Sequence, residues 1–476
     1  MPQIRADYKS VFLLPPCIED WVGPDHPARF IRDFVDSLDL EDLGFRVPKA
    51  ETGRPAYAAD LLLMVWLYAY FNRIRSARKI EKACLENMGF IWLTGMNGPD
   101  HNTLWRFWRD NKKVFKGVFK QSVRVAVKAE LIGMALHAMD GTKIMVRSSR
   151  EKFKDRDQLE RMLEHLDRWV TDVMTETEKC EQEEYGEHRL PKALQDELKR
   201  KQRIQEALQE LAESDKNVVH PGELDARYMK NRRSVEPSYN AQAVADRTSG
   251  MIVAEEVIDQ GADNGQLVPM LDRVRENVGA TAQETVADAG YFASTQIALA
   301  EEKGYGVLVA RSSGESTAQK GAKSAPYHAS RFIHDPERDV CICPRGALLS
   351  FLQKKVTGKN RNEVRRYRCG DYATCPGRWD CSKAKNGRLI DINVHREALE
   401  RHGKKREDSE KEKLLKARKA IIEPVFAWIK RHLGFRRWTV CGLHNVRSQW
   451  SVICTTINLM KLYRHWLAGR LVFSTA

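Results

Sequence analysis

Three acidic residues stand far apart in this 476-residue chain, each inside a short motif: Asp140 in HAMDGTKI, Asp288 in TVADAGYF and Glu423 in AIIEPVFAWIK. Brought together they would make an all-carboxylate site, and hard divalent cations such as magnesium take oxygen ligands. Two such ions held about 4 Å apart can activate a water and stabilise the leaving 3′ oxygen of a phosphodiester. A second ligand set crowds between the last two acids, in VCICPRGALL and YRCGDYATCPGRWDC. Four thiolates hold zinc tetrahedrally, and two Cys-Pro loops are the style of a zinc ribbon. Cys343, Cys369, Cys375 and Cys381 are the preferred four, with Cys341 as substitute. Five residues separate Cys369 from Cys375, more than the roughly two to four of an ordinary knuckle, so a reduced, metal-free β insertion is the alternative.

The elements around the acids decide whether they can meet. Asp140 closes the apolar run LIGMALHAMD, where ligands collect in α/β sheets, but Asp-Gly is also a common hairpin turn, with TKIMV as the returning strand. Asp288 repeats the setting, closing the short apolar TVAD ahead of Ala-Gly-Tyr. Asp246 in AVAD is a rival at another strand end, and Asp263 a weaker one in a loop. Glu423 lies in a segment helical by composition. Pro424 cannot donate a backbone hydrogen bond and disfavours helical geometry before it, so a kink or the start of a second helix is expected at Glu423. Lys430, seven residues on, would share a face with Glu423 if the helix continues. Lys143 is either a phosphate contact or a solvated hairpin residue.

The rest of the chain reads as several units. Strands SYNAQAVAD and MIVAEEVI, then TVADAG after a helical LVPMLDRVRENV, then YGVLVA after QIALAEEKG, describe a mixed α/β sheet. To about residue 130 the chain is helical. In PDHNTLWRFWRDNKKVF, Asp100 or Asn102 can cap a helix whose Trp105, Phe107 and Trp108 alternate with Arg106 and Arg109. That helix suits a helix-turn-helix facing a DNA groove, and equally a buried aromatic helix with solvated arginines. From residue 149 to 230 charged segments with apolar residues at helical spacing predict an inserted helical hairpin.

Composition narrows the partner. Net charge is +14, and from Arg401 to Trp438 thirteen Lys or Arg face five Asp or Glu, a local excess of eight. That stretch is the first place to put nucleic acid. MPQIRADYKS has no apolar core of a secretory signal, and the apolar run Leu61 to Phe71 is too short for a bilayer. A soluble, cytoplasmic protein with no membrane partner is expected, in which cysteines are thiols or metal ligands.

MDGTK, the YNAQ run, ADAGY and the glutamate-six-lysine segment EPVFAWIK, in this order, resemble the DDE transposases of bacterial insertion sequences. More narrowly they resemble the insertion-sequence-1182 group of the insertion-sequence-4 and -5 assemblage. RPAYAADLLLMVWLYAYFNRIRSARKIEKA and PDHNTLWRF are similar to that group's N-terminal domain, and the resemblance runs over roughly residues 10–465. It implies an RNase H-like α/β core in which Asp140, Asp288 and Glu423 bind two magnesium or manganese ions. It further implies cleavage at terminal inverted repeats of double-stranded DNA, strand transfer to target DNA, and a homodimer in the synaptic complex. Related transposases carry a cysteine-bearing insertion before the glutamate, which supports structural zinc. The wider family often shows tyrosine and arginine before the glutamate. Here Lys416 and Lys419 stand at those places, with Arg418 beside them, while Lys430 keeps its position; Tyr291 offers a ring to stack on a flipped base. Arg418, Lys419, Lys430, Arg436, Arg437, Arg106 and Arg109 are the further DNA-contact candidates. On this reading residues 1–130 form a helical DNA-binding domain. Residues 131–148 and 231–315 begin the core, 149–230 is the helical insertion, 316–395 the cysteine-rich, zinc-ribbon-like insertion, and 396–476 the basic helical part completing the core. The alternatives are a related nuclease without strand transfer and a catalytically silent DNA-binding descendant.

Overall fold

The computed structural model describes residues 17–46, 55–181, 192–231, 234–310, 326–357, 362–382 and 384–473. The chain divides into two units, 1–131 with 429–476, and 132–428.

The first unit is helical: α1 (Pro27–Asp36), α2 (Ala59–Phe71), α3 (Ala77–Glu86), α4 (Met88–Leu93), α5 (His101–Asn111) and α6 (Phe115–Lys128) pack with a C-terminal helix, Leu443–Leu467. Helix α2 is apolar all round because it is enclosed: Leu63, Val65, Leu67 and Ala69 are all buried. Its polar tips are satisfied inside the unit. Trp66 Nε1 donates to the Leu104 carbonyl at 3.3 Å, and Gln449 Nε2 donates to the Tyr70 hydroxyl at 2.9 Å. Asp100 caps α5, accepting from the Thr103 amide at 2.6 Å. The aromatic residues of α5 divide, Phe107 and Trp108 being buried and Trp105 half exposed. No helix among the described residues is long and apolar enough to cross a membrane.

The second unit is built on a six-stranded mixed sheet. β1 (Leu136–Met145) lies between β3 (Val235–Asp246), antiparallel to it, and β5 (Glu284–Ala287), parallel to it; β6 (Val307–Val309) extends the parallel side. β2 (Arg227–Lys230) and β4 (Ile252–Ile258) both pair with the other edge of β3. Helices α7 (Arg156–Glu181) and α8 (Lys192–Glu213) fall between β1 and β2 and pack through Leu159, Ile204 and Ala207. Helices α9 (Leu267–Val278) and α10 (Ser294–Glu302) precede β5 and β6, where the apolar spacing places them. A second, five-stranded antiparallel sheet follows: β7 (Ile333–Asp335), β8 (Val340–Ile342), β9 (Leu348–Thr357), β10 (Asn362–Cys369) and β11 (Leu389–Asn393), with the single-turn α11 (Arg378–Cys381) before β11. Helices α12 (Arg396–Glu407) and α13 (Ser409–Ala427) end the unit. Helix α13 packs on β1, β3, β5 and β6.

Two local expectations are corrected. Asp140-Gly141 is not a hairpin turn: β1 runs straight through it, because β3 is twelve residues long and pairs with β1 from His137↔Asp246 to Met145↔Ser238. The glycine serves packing instead. A β-carbon on Gly141 would meet Gln242 Nε2 at 2.5 Å and Asn240 Oδ1 and Asp263 Oδ1 at 2.8 Å. Pro424 does not start a second helix, since α13 continues past it to Ala427 and is followed by a π-turn, Trp428–His432. The buried stripe Ile421, Ile422, Val425 and Phe426 anchors this segment, so packing outweighs the one amide that proline cannot supply.

Candidate active site

Strand register brings the two aspartates together. In the parallel β1–β5 pair Ala138 lies level with Val286. Two residues further on each chain stand Asp140, still within β1, and Asp288, the first residue past β5. Neighbouring strands are about 4.8 Å apart and side chains repeat every two residues, so the two carboxylates leave the same face at the same level. Each is oriented by its own backbone. Asp140 Oδ1 accepts from the Gly141 amide at 2.8 Å, and Asp288 Oδ1 accepts from the Gly290 amide at 2.9 Å.

Helix α13 supplies a cation to this face. Arg418 Nη1 lies 2.5 Å from Asp140 Oδ2, in a pair whose side chains are only 13 % and 19 % exposed. Burial pushes the Asp140 carboxyl above the usual carboxylate range against the pull of Arg418, and the charge of Asp288 adds to the rise. Two neighbouring carboxylates, one of them largely buried, are chemically suited to a divalent cation, whose charge relieves both burial and repulsion. Two oxygen-ligand side chains fit a magnesium ion, which keeps several waters of its own. Glu423 is exposed on α13. Among the described residues no three His, Cys, Asp or Glu side chains stand close enough to share one metal ion, so the structure pairs Asp140 with Asp288 without drawing Glu423 into the group.

Behind the aspartates lies a polar network that sequence reasoning missed. Asp263, in the loop after β4, accepts from Asn240 Nδ2 and Gln242 Nε2, each at 2.6 Å, and pairs with Lys143 Nζ at 3.3 Å. Lys143 is therefore held on a carboxylate, not presented as a solvated hairpin residue. Tyr291 is fully buried and its hydroxyl donates to Gln242 Oε1, so its ring offers no face for base stacking as placed. Burial pushes its phenol well above the ordinary value, and the charges of Asp263, Asp140 and Asp288 add to this. The available signal was the pair of amides in YNAQ. At strand period, Asn240 and Gln242 share one face of β3. The rival Asp246 is fully buried and turned to structure, accepting from the Gly133 amide at 3.1 Å and from the Ser249 amide and hydroxyl at 2.7 and 2.8 Å.

Basic candidates are spread over the units. Lys419 is exposed on α13. In the first unit Arg106, Arg436 and Arg437 are exposed, Arg109 pairs with Asp110 at 2.7 Å, and Arg436 Nε donates to the Lys430 carbonyl at 3.2 Å.

The cysteine cluster belongs to the second sheet. Cys341 is buried in its core with Leu349, Tyr367 and Ile390. Cys343 heads a Cys-Pro-Arg-Gly turn in which its Sγ accepts from the amides of Arg345 at 3.4 Å and Ala347 at 3.3 Å, with Gly346 at φ +83°. Burial raises the Cys369 thiol, and the neighbouring Cys375, Cys343 and Cys381 raise it further. Four thiols lie within electrostatic reach and one sits at a turn with two amides aimed at its sulfur, but among the described residues no three of them stand close enough to share one ion, so a zinc site is not assembled as placed.

Two family models match the chain: a "Transposase domain (DUF772)" over residues 16–110 and a "Transposase DDE domain" over residues 342–463. No curated protein matches it. The second match spans Glu423, Lys430 and most of the cysteine-bearing sheet, while Asp140 and Asp288 fall outside both and rest on strand register. The two matches together show a transposase of the DDE type, of the insertion-sequence-4 and -5 kind.

Proposed function

We propose that this transposase, of the insertion-sequence-1182 group, cuts the phosphodiester backbone at the ends of its element and joins the freed 3′ ends to target DNA. The observation that carries the reading is the level placement of Asp140 and Asp288 on neighbouring parallel strands. The strand order, with β1 between an antiparallel and a parallel half, supports an RNase H-like core. Asp140 and Asp288 are the residues to hold magnesium or manganese; Glu423, exposed on α13 and outside that pair as placed, would have to move toward them to complete the set. Bound there, two divalent ions would lower the proton affinity of a water and stabilise charge on the leaving oxygen. Arg418 balances the Asp140 charge from the side of α13 and would meet a phosphate oxygen there.

In the first step a water oxygen bonds to phosphorus and gives up a proton to solvent, the phosphorus–O3′ bond breaks, and the leaving O3′ takes up a proton to become a hydroxyl. In the second that 3′ hydroxyl bonds to a target phosphorus and loses its proton, while the displaced target 3′ oxygen takes one up. No covalent link to the protein is needed. The exposed Lys419, Arg436, Arg437 and Arg106, with Arg109 and Lys430, are positioning contacts to phosphates of double-stranded DNA. Structural zinc on Cys343, Cys369, Cys375 and Cys381 would stiffen the second sheet, and synapsis of two ends calls for a homodimer.

The test combines an oligonucleotide bearing the element's terminal repeat with a supercoiled target and magnesium. Joined products are expected. Cleavage without joining favours a nuclease, and binding without either favours a silent descendant.

A further inference from the structure

Both aspartates of the proposed centre carry, three positions downstream, a residue tied to one carboxylate. After Asp140 comes Lys143, whose Nζ lies 3.3 Å from Asp263. After Asp288 comes Tyr291, whose hydroxyl donates to Gln242 Oε1, while Gln242 Nε2 donates to Asp263 Oδ1 at 2.6 Å. Asn240, opposite Lys143 in the β1–β3 register, donates to the same oxygen at 2.6 Å. The segments bearing the two aspartates also approach Asp263 through glycines. A β-carbon on Gly141 would stand 2.8 Å from Asp263 Oδ1, and one on Gly290 would stand 3.4 Å from Asp263 Oδ2. The Asp263 side chain is 14 % exposed.

We infer that Asp263 is a positioning residue of the metal centre: by gathering Lys143, Asn240 and the Gln242–Tyr291 link, it fixes the separation of Asp140 from Asp288. The inference rests on the functional reading above. Only one strand pair, of three residues, joins β1 to β5 directly, and Asp288 lies just beyond it. The loop bearing Asp288 therefore needs a second anchor, and the Tyr291 hydroxyl supplies one through Gln242 to Asp263. Outer-shell groups of this kind typically change metal affinity by about 10- to 100-fold. A merely structural ion cluster would instead lower the melting temperature and leave metal affinity per folded molecule unchanged.

The experiment titrates the full chain with Mn2+ alone, following free ion by electron paramagnetic resonance, alongside thermal melting. Asp263→Asn is expected to weaken Mn2+ binding by about 10- to 100-fold. Tyr291→Phe, which keeps the buried ring and removes only the hydroxyl, is expected to weaken it a few-fold with little change in melting. Asp140→Asn is the reference for a lost ligand. Wild-type Mn2+ affinity in both folded variants, with binding lost in Asp140→Asn, overturns the inference and leaves the functional reading standing. If Asp263→Asn does not fold, Tyr291→Phe decides by the same criterion. Absence of Mn2+ binding in the wild type overturns the functional reading, and the inference with it.

Discussion

The carboxylate face of the first sheet and the cysteine-bearing segments of the second both carry metal-ligand side chains, but they are built in opposite ways. Asp140 sits on β1 and Asp288 just past the end of β5, at the centre of a mixed sheet, oriented by adjacent amides and backed by Asp263, Asn240 and Gln242. The thiols lie at turns and element ends of a small antiparallel sheet whose core includes Cys341, Leu349, Tyr367 and Cys369. Where the fold is made independently of the ligand, residues can be placed for chemistry and a metal can come and go. Where the core is small, a metal contributes to the fold itself. On the function proposed above, catalysis falls to the aspartates and stability to the thiols.

The largest effect that would break this assignment comes from Asp288→Asn. DNA cleavage should fall on the order of a thousandfold or more, with the melting transition within a few degrees of wild type. A matching loss of fold would make Asp288 structural. Next comes Cys369→Ser, or removal of zinc with a chelator: the melting temperature should drop by several degrees and bound zinc should fall from one equivalent toward zero. Cleavage per folded molecule should stay within a few-fold. An unchanged melt and no zinc in the wild type would leave the second sheet a metal-free insertion. The smallest effect is Gly141→Ala, whose methyl group must displace Gln242, Asn240 and Asp263; a cost of about 1–3 kcal/mol is expected in urea unfolding. A neutral result would mean that the network behind β1 is loose.

Much of this arrangement was legible in the residues. The apolar runs around Asp140, Asn240, Ile252, Val286 and Val307 mark five strands of the first sheet, and the leucine spacing marks α7 and α8. The missed features share one cause, which is that tertiary packing outweighs local preference. Asp-Gly reads as a turn until β3 is seen to pair along the whole of β1, and Glu-Pro reads as a break until the Ile421–Phe426 stripe is seen buried. Asp263 reads as a loop acid because its partners lie on β1 and β3, 120 and about 20 residues away. Arg418 was legible as a basic residue near the glutamate, but its pairing with Asp140 spans 278 positions and has no local signature.

The central claim is that the aspartate pair carries metal-dependent phosphodiester chemistry. Its most direct test is nicking of duplex DNA bearing the terminal repeat, with and without Mg2+, by wild type and by Asp140→Asn. A Mg2+-dependent nick leaving a 3′ hydroxyl at the element end is expected in the wild type and none in the variant. Equal nicking by both proteins, or nicking that persists in a metal chelator, would contradict it.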